Sequence, residues 1–156
     1  STTESKVAQA EIICRDGDVE DLDIVANYGW IRSGMWDEVE ADIKAVCDVC
    51  HKYGSNVKVI FEVDSLTIEQ VKKATETAIA AGADFVKTST GFFTGGKNEG
   101  ATYEVIQAMM DAAQGRCKIK GAGGIRDREK FLKLIDMGID RMGVGYRSTP
   151  VVLGYK

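Results

Sequence analysis

The feature that most constrains the fold of this chain is a repeated alternation of charged and apolar residues in short segments typical of β-strands. These segments cover residues 21–27, 57–63, 83–91 and 117–121. Neighbouring residues of a strand point to opposite faces, so each segment places its charges on one face and apolar residues on most of the other. The charged residues on such faces are Asp21, Asp23, Lys58, Glu62, Lys87, Lys118 and Lys120.

This alternation indicates a barrel. Strands of an open parallel sheet that is covered by helices on both sides are almost continuously apolar. A barrel needs two different strand faces, because one face lines the lumen and the other packs against the surrounding helices. We therefore predict an α/β fold of the parallel (β/α) TIM-barrel type, in a single domain over residues 1–156. The alternative is that the charges lie at strand ends and meet solvent.

Helical patterns separate the strands and support a series of β/α units. Thr67 and Gln70 have the spacing of a capping box, and Asp127 is predicted to cap a later helix. Residues 82–84 and 138–140 share the pattern Gly-x-Asp between a helix and a strand. We interpret this repeat as one helix-to-strand turn used twice, and we predict a fifth, short strand at residues 141–145.

Lys87 is the leading candidate for chemistry, because it lies in the middle of a segment predicted to be a buried strand. A buried ammonium is costly unless it is paired or neutralised. A neutral lysine is the nucleophile that Schiff-base chemistry with carbonyl compounds requires. Lys58 and Lys120 are predicted on the same lumen face, opposite Asp23 and Glu62, and adjacent ammonium groups disfavour one another's protonation. The alternative is a lysine whose stem is buried and whose amine reaches the surface.

Composition excludes several classes of function. The net charge of −4 argues against a nucleic-acid partner, whose footprint is basic. No apolar run reaches the length of a membrane span, and no secretory signal opens the sequence. We therefore expect a cytoplasmic protein with reduced thiols.

Two familiar motifs, together with the single histidine and the carboxylates, do not predict the kinds of site that such residues often form. The C-x-x-C-H pattern of residues 47–51 lies within a helical pattern that would bury both thiols. Residues 91–97 nearly form a phosphate-binding P-loop, but Asn98 stands where Ser or Thr is needed, so we interpret this stretch as a mobile active-site loop. His51 is expected at a helix end, and no carboxylate spacing predicts a metal site.

Residues 84–92 resemble the Schiff-base strand of the deoxyribose-phosphate aldolase family, class I aldolases built on a TIM barrel. The resemblance spans nearly the whole chain. It includes residues 21–25, 29–30, 33–34, 57–60, 100–102, 119–120, 123–126 and 141–143.

The resemblance implies a role for each of five residues. Lys87 would form the imine with acetaldehyde, and Lys120 would be the second lysine, whose charge disfavours protonation of Lys87. Asp23 would move protons together with an ordered water, Lys58 would orient that carboxylate, and Thr90 would lie beside the Schiff base.

The family's phosphate site falls on Gly123, Gly124 and Arg126, with Gly145 in the following segment. The implied reaction is the reversible cleavage of 2-deoxy-D-ribose 5-phosphate to D-glyceraldehyde 3-phosphate and acetaldehyde, without metal or organic cofactor. The expected partners are therefore this phosphorylated sugar and acetaldehyde, with no nucleic acid and no membrane.

The chain departs from the family pattern at two places near the phosphate. It has Gly121 and Ala122 before Gly123, and residues 144–146 are Val-Gly-Tyr where the family has a pair of serines. These departures leave open a related Schiff-base aldolase with a different aldehyde substrate. A tyrosine near the carboxyl terminus transfers protons in some family members, and Tyr155 is the corresponding candidate here.

The resemblance begins at the helix before the family's fourth strand, so we predict the C-terminal five strands of an eight-stranded barrel. Five strands cannot close such a barrel, and their edges invite pairing. We expect either a truncated product or fragment, or a homo-oligomer or other chain that completes the barrel. A weakly active or inactive remnant that serves as a binding or assembly subunit is the alternative from a different functional class.

Overall fold

The computed structural model describes residues 1–155, which form five parallel strands alternating with helices. The strands are β1 (Asp21–Val25), β2 (Asn56–Ile60), β3 (Phe85–Lys87), β4 (Lys118–Ala122) and β5 (Arg141–Gly143). The helices are α1 (Thr3–Asp16), α2 (Tyr28–Arg32), α3 (Trp36–Lys52), α4 (Ile68–Ala80), α5 (Tyr103–Ala113), α6 (Arg128–Asp136) and α7 (Thr149–Leu153), with a 3-10 helix at Val63–Ser65.

The strands pair in sequence order from β1 to β5, and a contact between the two outer strands shows that the sheet is curved. With right-handed crossovers, sequential order places the connecting helices on one face of the sheet. In a flat sheet β1 and β5 would lie about 19 Å apart, at roughly 4.8 Å per strand. Asp21 of β1 nevertheless contacts Arg141 of β5. The sheet therefore forms a concave wall, as part of a barrel does.

The hydrophobic core lies between the convex face of the sheet and the helices. Val57, Val59, Val86 and Ile119 point from the convex face of the sheet toward the helices. They are buried against the apolar faces of α3, α4 and α5. The opposite face of the same strands bears the charged residues, as the alternation predicted. Burial of the apolar face supplies the main driving force for this arrangement.

The repeated Gly-x-Asp turn is confirmed. The Asp84 carboxylate accepts a hydrogen bond from the Val57 N–H at 2.8 Å, and Asp140 accepts one from the Ile119 N–H at the same distance. Each aspartate also donates its own N–H to the carbonyl of that same residue. The turn thus sets the register of β3 on β2 and of β5 on β4.

Most predicted boundaries hold within a few residues, with two differences. The capping box at Thr67 and Gln70 and the cap at Asp127 are present. The first strand ends at Val25, earlier than predicted, because the Asn27 side chain accepts the Trp30 N–H and starts α2, a helix that the pattern did not indicate. The predicted strand at residues 83–91 is paired only over Phe85–Lys87.

Gly100 fits closely against the end of β4. Its φ is +59°, and a Cβ there would lie 2.7 Å from the Ala122 carbonyl oxygen and from backbone atoms of Gly123. Gly115 has a similar φ of +74° but no heavy atom within 4 Å of such a Cβ. An alanine would therefore be strained at both positions, but only at Gly100 would its Cβ clash with neighbouring atoms.

We expect Gly100→Ala to lower the free energy of unfolding well beyond the loss for Gly115→Ala. Backbone strain alone should cost roughly 1 kcal/mol at either position. Gly100→Ala adds a clash with backbone that cannot move without shifting β4. Urea unfolding of both variants measures the difference, and equal losses would contradict the close fit at Gly100.

Asp21 holds the concave face together from the edge strand. Its carboxylate lies 2.8 Å from Lys58 Nζ, contacts Arg141, and accepts a hydrogen bond from the Asn56 amide at 3.0 Å. The hydrogen bond from Lys58 holds the pKa of Asp21 well below its ordinary range; burial opposes this, and Arg141 and Asn56 add to it.

We expect the stabilisation from Asp21 to disappear in acid. Because the pKa of Asp21 is lowered on folding, the unfolded chain takes up the proton first as the pH falls below about 4. The contribution is therefore complete above that pH and decreases below it. In urea unfolding, the stability gap between wild type and Asp21→Asn should be largest near pH 7 and shrink toward pH 3. Asp18→Asn, in an exposed loop, is the control, and a gap that did not change with pH would contradict this assignment.

Candidate functional site

Three lysines converge on one aspartate across the concave face. Asp23 Oδ2 lies 2.6 Å from Lys87 Nζ and 3.5 Å from Lys120 Nζ, and Asp23 Oδ1 lies 3.6 Å from Lys58 Nζ. The register explains the convergence, because Asp23 pairs with Lys58 across β1 and β2, and Lys87 pairs with Lys120 across β3 and β4. Curvature of the sheet then brings β1 within reach of β4.

Lys58 lies between two carboxylates and is almost completely buried, at 4% side-chain exposure. The resemblance implied that Lys58 orients Asp23, and the two groups are adjacent. Its shorter contact is with Asp21, however, so Lys58 links the Asp21 cluster below to the Asp23 cluster above. The site predicted from the sequence included neither Asp21 nor Arg141, although Asp21 had been assigned to the lumen face.

The charges at this cluster alter two pKa values in a consistent direction. Burial raises the pKa of Asp23, but the hydrogen bond and charge of Lys87, together with the charges of Lys120 and Lys58, outweigh it, so the net shift is downward. Burial and the neighbouring Lys87 charge lower the pKa of Lys120, against the opposing effect of Asp23. Lys120 therefore loses its proton more readily than an ordinary lysine.

A cavity of about 360 Å³ opens above the lysines. Most of the residues predicted from the sequence line it, and Asp23 contacts two of the lining lysines from below. The predicted lining residues are Lys87, Thr90, Lys120, Gly123, Gly124, Arg126 and Gly145. Amines therefore lie at one part of the cavity wall, and Arg126 and a glycine turn form another part.

The glycine turn at the end of β4 requires glycine for steric reasons. Gly123 and Gly124 have φ values of +85° and +68°. A Cβ on Gly124 would lie 2.2 Å from the carbonyl oxygen of Glu99. The Lys130 amine donates a hydrogen bond to the Gly124 carbonyl at 3.0 Å and supports the turn from α6.

Thr90 contacts Glu62, and this corrects the predicted position of Glu62. The sequence pattern placed Glu62 in the lumen opposite the lysines. In the structure its carboxylate accepts hydrogen bonds from the Thr90 N–H at 3.1 Å and from the Thr90 hydroxyl at 2.6 Å. The strand period fails here because β2 ends at Ile60 and Glu62 has a left-handed backbone with φ of +56°.

Other sequence interpretations have clear structural outcomes. His51 lies at the end of α3 and bonds to Asp84 at 2.8 Å, and Cys47 and Cys50 are buried in the core as expected. Burial raises the pKa of Cys47 to about 12, which suits a packed thiol. Tyr155 is 70% exposed and does not line the cavity.

Ser148 lines the cavity and was missed by the sequence analysis. It precedes α7, which has Pro150 in its first turn. Ser followed by Pro within two residues is a helix-start signal, and that signal could have located Ser148. It lines the same cavity as Arg126, because the segments that carry them follow the neighbouring strands β5 and β4.

Two features are absent from residues 1–155. The side chains of that region form no group of three or more His, Cys, Asp or Glu residues suited to a metal ion. None of its helices has the length and apolar character needed to cross a bilayer.

The geometry permits a specific kind of chemistry. An amine that contacts a carboxylate, within a cavity open to small molecules, can add to a carbonyl carbon while the carboxylate handles protons. Arg126 and the backbone of the glycine turn can bind an anionic group of the same ligand.

Comparisons with known proteins match this chain to aldolases. The family model described as DeoC/LacD family aldolase matches residues 2–148. A deoxyribose-phosphate aldolase of Thermococcus gammatolerans is 45% identical over 141 residues, which are 90% of this chain and 60% of the relative. One from Lactiplantibacillus plantarum is 43% identical over 92% of this chain and 65% of its own length.

Solved structures confirm the predicted fold class. An aldolase called QR15 superposes with a TM-score of 0.85 at 38% identity, over 99% of this chain and 66% of that one. A deoxyribose phosphate aldolase from Aeropyrum pernix, described as tetrameric, superposes with a TM-score of 0.82 at 24% identity, over 99% of this chain and 62% of that one.

The alignments cover most of this chain but only part of each relative. The chain spans between 55% and 65% of the length of the curated relatives compared. Its five strands are consistent with part of a barrel rather than a closed one. With a family model that covers almost all of its residues, the chain belongs to the DeoC/LacD family of aldolases.

Proposed function

We propose that this chain carries the Schiff-base site of a class I aldolase that cleaves 2-deoxy-D-ribose 5-phosphate to D-glyceraldehyde 3-phosphate and acetaldehyde. The observation that carries the proposal is the contact of Lys87 with Asp23, next to Lys120 and within the cavity. Names of the relatives support the same substrate.

The reaction begins with addition of the neutral Lys87 amine to the C1 aldehyde of the open-chain sugar. The new N–C bond gives a carbinolamine, and loss of water gives an iminium. Removal of the C3 hydroxyl proton then breaks the C2–C3 bond and releases D-glyceraldehyde 3-phosphate, while the electron pair of that bond moves into the iminium to form an enamine. Protonation at C2 and hydrolysis release acetaldehyde and restore the amine.

Asp23 and Lys120 serve the proton transfers in this scheme. Asp23 accepts a hydrogen bond from Lys87 directly, so its carboxylate is placed to relay protons between the reacting nitrogen and water. Lys120 carries a lowered pKa and lies beside the same carboxylate, so it can exchange a proton at lower pH than an ordinary lysine. Lys58 holds the two aspartates in place.

The phosphate is proposed to bind near Arg126, Gly123, Gly124 and Gly145, all of which line the cavity. Ser148 adds a hydroxyl to the same wall, where residues 144–146 lack one apart from the exposed Tyr146. An aldolase that acts on an unphosphorylated aldehyde remains the second candidate, because this wall departs from the family pattern.

A partner that completes the barrel is part of the proposal. Within residues 1–155, β1 pairs only with β2 and β5 only with β4, so both outer edges are open. Apolar side chains are exposed beside each edge, with Ile13 and Val25 near β1 and Leu132 and Ile135 near β5. Open edges of this kind favour pairing with another chain or another segment.

We expect borohydride to trap acetaldehyde on Lys87. Reduction of the iminium leaves an ethyl group on Nζ, and peptide mass mapping locates it. Lys87→Arg should abolish the adduct, because the guanidinium stays protonated. Asp23→Asn should slow trapping roughly a hundredfold, since it removes the proton acceptor.

Lys44→Arg is the matched control, because Lys44 is an exposed lysine paired with Asp48 on α3. It should trap acetaldehyde at the wild-type rate. An adduct spread over surface lysines with none on Lys87 would rule out both aldolase candidates and favour a remnant that only binds or assembles. Cleavage of deoxyribose but not of its 5-phosphate would favour the unphosphorylated substrate.

We expect light scattering during size-exclusion chromatography to give a mass above that of the 17.0-kDa chain. Open edges should drive self-association when no other partner is present. Replacing Val25 on the β1 edge by Lys should shift the population toward monomer, because a charge blocks edge pairing. A well-behaved monomer with cooperative unfolding and full trapping activity would remove the need for a partner.

A further inference from the structure

Glu62 occupies a strained and buried position next to the catalytic lysine's strand. It follows β2, is only 5% exposed, and has φ and ψ of 56° and 60°. Within residues 1–155 the only other non-glycine residue with positive φ is Gln114, which ends helix α5. Strain of this type persists only where surrounding contacts compensate for it, and it is frequent at functional sites.

Both carboxylate oxygens of Glu62 accept hydrogen bonds from one residue, Thr90. Oε1 accepts the N–H of Thr90 at 3.1 Å, and Oε2 accepts the hydroxyl hydrogen of Thr90 at 2.6 Å. Thr90 lines the cavity together with Lys87. The left-handed turn therefore aims a buried carboxylate at one cavity residue.

These contacts determine what the Thr90 hydroxyl can offer a ligand. A hydroxyl has one hydrogen and two acceptor positions. The hydrogen is donated to Glu62, and one acceptor position receives the Phe92 N–H at 3.1 Å. The remaining position can only accept a hydrogen bond.

Asp64 holds the far end of the loop formed by residues 91–100, which begins directly after Thr90. Its Oδ1 accepts the N–H groups of Glu99 and Gly100 at 2.8 and 3.0 Å. Loop 91–100 is therefore anchored at its far end without Glu62. Glu62 contacts only the near end, where its two bonds fix both the backbone of Thr90 and the direction of the Thr90 hydroxyl.

We infer that Glu62 is a positioning residue that makes the Thr90 hydroxyl an obligate hydrogen-bond acceptor toward the N–H of the iminium on Lys87. The inference rests on the proposed aldolase function and adds a residue to its machinery. A fixed acceptor favours the positively charged iminium over the neutral aldehyde, so the contact acts on the rate of iminium formation more than on aldehyde binding.

A double-mutant cycle tests the inference. The measured quantity is the rate of borohydride trapping of acetaldehyde over a range of acetaldehyde concentrations. Glu62→Gln keeps the shape but can donate to Thr90, which frees the hydroxyl to point elsewhere. We expect it to lower the maximal rate roughly tenfold, as loss of one charge-assisted hydrogen bond does, with little change in half-saturating acetaldehyde.

Thr90 variants show whether Glu62 acts through the hydroxyl. Thr90→Val should lower the maximal rate by a similar factor, and adding Glu62→Gln to it should cause no further loss. Thr90→Ser keeps the hydroxyl, so it should remain close to wild type and stay sensitive to Glu62→Gln. Glu69→Gln, an exposed glutamate in the first turn of α4, is the matched control and should not change the rate.

Rates are compared per folded molecule, with thermal midpoints and near-ultraviolet circular dichroism measured for each variant. Independent losses that multiply in the double variant would overturn the inference, as would wild-type trapping by Glu62→Gln. A change confined to half-saturating acetaldehyde would also overturn it. Absence of trapping in the wild-type chain would reject the proposed function itself, and the inference with it.

Discussion

The contact of one carboxylate with three ammonium groups sets the shape of the concave face. Asp23 reaches Lys58, Lys87 and Lys120, which lie on three different strands. A flat sheet would hold β1 and β4 about 14 Å apart, so the contact between Asp23 and Lys120 exists only because the sheet curves. The same curvature brings Asp21 to Arg141. Charge pairing and curvature therefore depend on one another.

Positive charge exceeds negative charge on this face. Five cations face two aspartates: Lys58, Lys87, Lys118, Lys120 and Arg141 against Asp21 and Asp23. The ring of Phe85 lies within 5.3 Å of Lys58, Lys118 and Arg141, and its π face offsets part of this excess. A concave surface with surplus positive charge attracts anions. An anionic ligand such as a sugar phosphate suits it.

The cavity above the lysines depends on backbone fit more than on charge. Gly100, Gly123 and Gly124 pack closely at the end of β4, and Asp64 holds the segment that packs on them. The family resemblance covers Gly100 and the two glycines of the turn, but it shows neither that Gly100 packs against that turn nor that Asp64 holds Gly100 there. Their contacts join residues more than twenty positions apart, and no local pattern encodes the distance between two loops.

The sequence by itself determined the five strands, most of the helices between them and the face on which the charges within the strands lie, because periodicity and capping are local properties of the chain. It therefore identified Lys87, Lys120, Asp23 and Lys58 as residues of one surface. Only the tertiary structure decided which of them touch. Asp21 rather than Asp23 is the nearer partner of Lys58, and Glu62 turns away from the lysines to Thr90. Curvature of the sheet and one left-handed residue set those distances, and both arise from packing across the whole fold.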